Sequence, residues 1–108
     1  MSHVTEALEV TPGEVLPVVV DVTAVLAPGD VVQSIQGRVF EQTGGAEVIG
    51  GVMASPVPAV ADLALSFTLD ARLLKPRNRY QGVFLLTVAP NAKVLGVIIP
   101  MTCAILRA

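Results

Sequence analysis

The chain has no tryptophan, and in 108 residues it has one tyrosine, one histidine and one cysteine. Each scarcity excludes something. With Cys103 alone, no disulfide can close within the chain and no four-cysteine or CxxC metal site can be built. Cys103 lies in an apolar strand pattern and reads as a small buried hydrophobe. His3 is the only histidine and lies near a terminus, where little holds an imidazole in one orientation, so neither a Ser-His-Asp nor a Cys-His arrangement has a positioned base. Asp62 and Asp70 read as solvated groups near the ends of one strand, not as a convergent carboxylate pair. Gly44-Gly45 and Gly50-Gly51 are not followed by the Lys-Ser/Thr and helix of a phosphate loop. No catalytic, cofactor-binding or metal-binding residue is expected, and no small-molecule substrate.

Charge is scarce as well. Charged residues make up 15% of the chain and hydrophobic ones 53%, where an ordinary soluble domain carries about 25% charged. Long apolar runs are absent too. Val83–Pro90 and Val94–Met101 fall short of the roughly 20 residues of a membrane-spanning helix, and Asn91 and Lys93 divide them. A membrane barrel needs at least about eight strands, more than this chain supplies alone. Met1 to Pro12 holds Glu6 and Glu9 and no lysine or arginine, which argues against a secretory signal. The expectation is a chain made in the cytoplasm, with no membrane partner. It forms one domain over 1–108, with residues 1–14 an N-terminal arm or edge strand.

What is present is valine in period two, punctuated by glycine and proline. Seven strands are predicted: Thr5–Val10, Leu16–Leu26, Val31–Glu41, Ala46–Met53 with a bend at Gly50-Gly51, Ala61–Leu69, Tyr80–Ala89 and Val94–Leu106. In the second, Leu16, Val18, Val20 and Val22 share one face, opposite Asp21 and Thr23. In the third, Val31, Ile35 and Val39 face inward and Ser34, Gln36 and Arg38 outward. Ala27-Pro28-Gly29-Asp30 predicts a type II turn, with proline second and glycine accepting positive φ third. Thr43-Gly44-Gly45 closes a hairpin. Seven short strands in about 100 residues predict an all-β, immunoglobulin-like antiparallel sandwich, with a small barrel as the structural competitor. Tyr80, after a long loop, is expected to bond upstream backbone rather than a ligand.

The last two strands are apolar on both faces. Phe84, Leu86 and Val88 oppose Val83, Leu85 and Ala89; Ile98, Ala104 and Leu106 oppose Leu95, Val97, Ile99, Met101 and Cys103. A two-layer antiparallel sandwich usually keeps one face polar. About five such side chains at roughly 100 Å² each represent on the order of 10 kcal/mol of gross burial, most of it offset by the cost of association. Val83, Leu85, Val97, Ile99 and Met101 are therefore candidate interface residues, unless the chain's own N-terminal segment or long connections cover them. The basic cluster Arg72, Lys75, Arg77 and Arg79 is read as a solvated loop or a contact with an acidic patch on a neighbouring subunit. Nucleic acid is not the expected partner, because no aromatic residue interrupts the cluster and the chain is acidic overall.

The run Asp21-Val22-Thr23-Ala24-Val25-Leu26-Ala27-Pro28-Gly29-Asp30, followed by a strand, Gly44-Gly45 and the Arg79-Tyr80 strand, resembles small immunoglobulin-like proteins of tailed bacteriophages, of the fibre–tail adaptor or neck-associated type. The similarity covers about residues 20–106. It implies a structural protein of the virion, bound to other virion proteins and to copies of itself at the neck, tail or fibre attachment, and it supplies no catalytic residue. A capsid decoration protein is the first alternative. An immunoglobulin-like ligand- or carbohydrate-binding module is the second, although such modules normally display the aromatic residues this chain lacks.

Overall fold

The period-two pattern folds into nine strands in the computed structural model, which describes residues 2–5, 7–42, 44–53, 57–89 and 93–103. They are β1 (Ser2–Val4), β2 (Leu8–Val10), β3 (Val15–Asp21), β4 (Val31–Glu41), β5 (Glu47–Val48), β6 (Ala59–Ala61), β7 (Ala64–Asp70), β8 (Arg79–Ala89) and β9 (Lys93–Cys103), with one 3-10 turn at Ala71–Leu73. Two sheets form. The larger runs β9-β8-β4-β5, with β1 and β2 both lying parallel along the free side of β9. The smaller runs β3-β7-β6. The molecule is an all-β sandwich, as the alternation predicts.

Inward-facing residues of both sheets form one core. Val18, Val22, Leu65, Phe67 and Leu69 come from the smaller sheet and its margins; Val39, Tyr80, Phe84, Leu86, Val88 and alternate residues of β9 come from the larger. The rings of Phe67 and Phe84 meet across the layers with centroids 4.5 Å apart, tilted by 42°, a favourable aromatic geometry. As predicted, Val18 and Val22 are buried with Leu16 and Val20 beside them, while Asp21 and Thr23 are exposed. The Ala27–Asp30 turn also forms as predicted: Gly29 has φ +86° and the Asp30 N–H donates to the Ala27 carbonyl at 3.1 Å.

Several strand bounds differ, each for a local reason. Of the first predicted strand, Thr5–Val10, only Leu8–Val10 pairs, and a strand that was not predicted, Ser2–Val4, precedes it. The Thr5 N–H donates to the Ile98 carbonyl, so residues with Ile98's parity aim their backbone groups at the N-terminal segment. Pro100 has that parity and no N–H to give. Pairing stops there and resumes one residue out of step, Val4 opposite Ile98 but Leu8 opposite Met101. That slip turns even-numbered residues from the outer face, at Val4, to the core, at Val10. The second strand ends at Asp21 rather than Leu26, because the Asp21 carboxylate accepts hydrogen bonds from the Thr23 N–H and hydroxyl and starts a turn.

A register shift between Val32 and Ser34 puts a bulge in β4, so Val32 turns inward and Val31, predicted inward, is exposed. Of the fourth strand only Glu47–Val48 pairs with β4, and Val52 then bridges to Leu69 of the other sheet. The Gly50-Gly51 bend is where the chain changes layer. A side chain at Gly51 would meet Val39 at 3.0 Å. The end of the last predicted strand, 104–106, lies outside the described residues, so the placement of Ala104 and Leu106 does too.

The fifth predicted strand, Ala61–Leu69, is a hairpin. Asp62 and Leu63 have φ +52° and +62° and join β6 to β7 in a tight turn of the type that asks for glycine or asparagine. A leucine in this region is strained. Leu63→Gly is expected to raise stability by about 0.5–1 kcal/mol, the relief of strain outweighing glycine's entropy. Calorimetric unfolding checks the sign; a lower melting temperature would contradict the strain.

Candidate interaction surface

The predicted interface residues divide by parity. Val97, Ile99 and Met101 are 0%, 1% and 1% exposed. They point into the core, so their assignment to an outer interface is corrected. The other parity of β9 holds Val94, Gly96, Ile98, Pro100 and Thr102. A strand with glycine, proline and threonine on one face and Leu95, Val97, Ile99 and Met101 on the other buries the large set, and that asymmetry is the signal that would have placed Val97, Ile99 and Met101 correctly. Val83 and Leu85 do face outward, Val83 half-buried and Leu85 40% exposed.

Strand pairing assembles the outer face in rows. Val83 lies opposite Ile98 on one side and Arg38 on the other, and Val4 continues that row beyond Ile98. Leu85 lies between Gly96 and Gln36. Gln81 lies between Pro100 and Phe40, with Glu47 beyond. Val94 at 55% and Val4 at 60% exposure extend the apolar area toward the β1 edge. Phe40, Ile98, Val94 and Val4 were not singled out by sequence reasoning. Gln36, Arg38, Phe40, Val83 and Leu85 line a shallow groove of about 370 Å³ between β4 and β8.

Arg38 and Glu47, on this face, pair with each other at 3.3 Å. At the surface such a pair contributes little to stability, but it leaves the middle of the face without net charge. The described N-terminal residues extend the sheet at its edge, in register with β9, and do not lie across the face.

The basic residues separate into two kinds. Arg72 makes a two-pronged contact with Asp70, Nε to Oδ1 at 2.8 Å and Nη2 to Oδ2 at 2.9 Å, and the same carboxylate caps the 3-10 turn by accepting from the Arg72 N–H. Arg72 is thus tied up in the fold. Lys75, Arg77 and Arg79 are exposed. Arg79 shares the outward parity of Val83 and Leu85 and, with Glu41, Arg77 and Asn78, borders a polar depression of about 520 Å³ at the end of the face. The loop that carries them is anchored by Tyr80, which is 2% exposed and whose hydroxyl accepts from the Lys75 N–H at 3.0 Å and from Asn78 Nδ2 at 3.5 Å.

The Asp70 carboxyl is held below the usual carboxylate range by its hydrogen bond from the Arg72 side chain, against the opposing effect of burial. Asp21 is lowered in the same direction by hydrogen bonds from Thr23. A lowered folded-state pKa adds stability above the unfolded carboxylate's range, and that stability is lost as pH falls through the folded value. Melting temperature is therefore expected to fall on acidification below about pH 4, the ordinary carboxylate range, and less steeply in Asp70→Asn. An unchanged acid slope in that variant would remove Asp70 from the account.

Cys103 is buried, and burial pushes its thiol pKa up, which makes it a poor nucleophile. Among the described residues no group of three His, Cys, Asp or Glu side chains could hold a metal ion, and no helix is long and apolar enough to cross a membrane. Comparison of the chain with family models, with curated proteins and with solved structures finds no match.

Proposed function

We propose that this protein is a structural subunit that works by packing the outer face of its larger sheet against other protein. The observation that carries the reading is the set of apolar side chains, Val83, Leu85, Ile98, Val94 and Val4, left on that face although the core has its own full complement. Contiguous apolar surface of this kind marks interaction sites, and the face offers no convergent polar groups for a small ligand. Phe40 is the one aromatic residue on it, which supports a packing surface over a carbohydrate platform.

The topology supports an immunoglobulin-like assignment. The order β3-β7-β6 parallels the B-E-D sheet of that fold and β9-β8-β4-β5 parallels G-F-C-C′, while Tyr80 sits at the start of the F-equivalent strand and bonds backbone upstream. With the resemblance over residues 20–106, we place the subunit in a tailed-phage virion, at the neck, tail or fibre attachment.

Mass spectrometry and image reconstruction of particles from the phage or prophage that encodes the chain test this. A few copies clustered at one vertex are expected. Copies spread over the shell would instead make it a decoration protein, and absence from purified particles would refute the virion reading. Replacing Lys75, Arg77 and Arg79 together with serine, keeping Arg72, is expected to reduce incorporation several-fold, since rim charges govern encounter more than fold. Unchanged incorporation would assign these residues to solvent.

A further inference from the structure

We infer that the occupant of the outer face is a second copy of this chain, in a two-fold, face-to-face dimer keyed by Leu85 and Gly96. The inference rests on the reading of that face as a protein interface and adds the partner's identity.

Three features of the face point to self-association. The first is shape. Leu85 and Gly96 are opposite one another on adjacent strands, so a projecting leucine stands one strand spacing, about 4.8 Å, from a position with no side chain. On a two-fold interface each patch meets its own copy, residue i touching j and j touching i. A knob beside a dent of this kind satisfies that requirement. With the axis passing between β8 and β9, Leu85 of each copy seats over Gly96 of the other, and Val83 and Ile98, paired across the same two strands, meet their counterparts. The groove beside Leu85 on the β4 side faces the second copy's β1 edge and gives its Val4 room.

The second is charge. Arg38 and Glu47 satisfy each other within one copy. A surface with net charge would repel its own copy, whereas this one asks for no oppositely charged partner. The exposed Lys75, Arg77 and Arg79 belong to one end of the sandwich, with Arg79 about 20 Å along β8 from Leu85.

The third is area. β4, β8 and β9 each run eleven residues and β1 with β2 lines most of β9, so four strand widths at about 4.8 Å and about ten residues at 3.3 Å give a face of roughly 600 Å² per copy. A standard specific interface buries about 800 Å² per partner, so two such faces, packed like the layers of a sandwich about 10 Å apart, reach the low end of what a stable dimer needs. The smaller sheet offers a contrasting control. Its outer face presents Val19 and Val15 among small or polar residues such as Ala64, Ser66 and Thr68. On its free edge Pro17 holds one of the positions whose backbone groups point away from β7 and so blocks strand addition.

Sedimentation equilibrium of the purified full chain tests the inference. A monomer–dimer equilibrium in the micromolar range is expected. Leu85→Arg should raise the dimer Kd by roughly 100-fold or more, because an unpaired charge would have to be buried at the centre of the contact. Gly96→Leu, which fills the dent, should raise it by at least about tenfold. Val19→Arg should leave the Kd unchanged, and circular dichroism melts of all variants establish that each is folded. If either face variant fails to fold, Gln81→Glu supplies the test, adding on β8, opposite Pro100, like charges that the two-fold contact sets about one strand spacing apart across the axis. A chain that stays monomeric at about 100 µM, a dimer insensitive to Leu85→Arg, one equally lost in Val19→Arg, or an open-ended oligomer would each overturn the two-fold pairing. Presence of the chain in purified particles, measured separately, would leave the structural role standing in every one of those cases.

Discussion

Gly37→Ala is expected to destabilise the protein by about 3 kcal/mol, at the upper end of the cost of overpacking a core. Gly37 lies in β4 directly opposite Phe84 of β8, and a Cβ built there would collide with Phe84 Cε2 and sit 2.8 Å from Cδ2. The ring has nowhere to go. It is fully buried, it stacks on Phe67, and on its other side Gly82 is itself so tight that a Cβ would approach Phe84 at 3.3 Å and Met101 at 2.9 Å. Two glycines thus make the slot that the Phe84 ring fills. For a domain of this size the loss corresponds to a fall of roughly 12–20 °C in melting temperature. Phe84→Leu, combined with Gly37→Ala, should recover at least about 1 kcal/mol relative to the sum of the single changes, since the two groups compete for one space. Additive costs would mean that the clash is relieved elsewhere.

Tyr80→Phe is the second large effect, expected at about 1–3 kcal/mol. Removing the hydroxyl leaves the Lys75 N–H without its acceptor at a partly buried position, and the penalty for an unsatisfied group exceeds the net gain from the bond itself. The effect should also be local. The hydroxyl ties down the loop that carries Lys75, Arg77 and Arg79, and Arg77 has a left-handed φ of +68° that the surroundings must hold. Hydrogen exchange in residues 73–79 is expected to quicken several-fold in the variant, while β7 and the centre of β9 keep their protection. Uniform quickening across the chain would show that the tyrosine stabilises the sandwich globally and does not anchor this loop in particular.

The sandwich was legible because its valine-rich strands alternate cleanly where one face meets solvent, as in β3, and because Ala27-Pro28-Gly29-Asp30 carries turn chemistry that admits little else. The Asp62-Leu63 turn was hidden for the opposite reason. Its residues continue the alternation of Ala61–Leu69 without a break, and the turn is imposed by tertiary pairing on a leucine that resists it. The bulge in β4 left no mark either, since Val31 and Val32 are equally apolar and only the register decides which turns inward.

The outer face was half legible. Apolar excess in the last two strands pointed to apolar side chains on the outer face, and Val83 and Leu85 are on it among Gln36, Arg38 and Gln81. Val97, Ile99 and Met101 were placed there because a strand that is apolar on both sides does not by itself say which side is in. Gly96 and Pro100, read with Ile98, carry that information, and Pro100 also accounts for the break between β1 and β2. The partition of the basic cluster into Arg72, bound to Asp70, and the three free residues depends on a contact two residues away that spacing alone does not distinguish from a solvated pair.

Hydroxyl-radical footprinting of the assembled protein, read residue by residue by mass spectrometry, addresses the role of the outer face most directly. Leu85, Phe40 and Ile98 should be protected in the assembled form relative to the dilute chain, while Val15 and Val19 on the opposite sheet stay equally reactive in both. Protection of Val15 and Val19 with Leu85 and Phe40 left reactive would contradict the account and move the interface to the other side of the molecule.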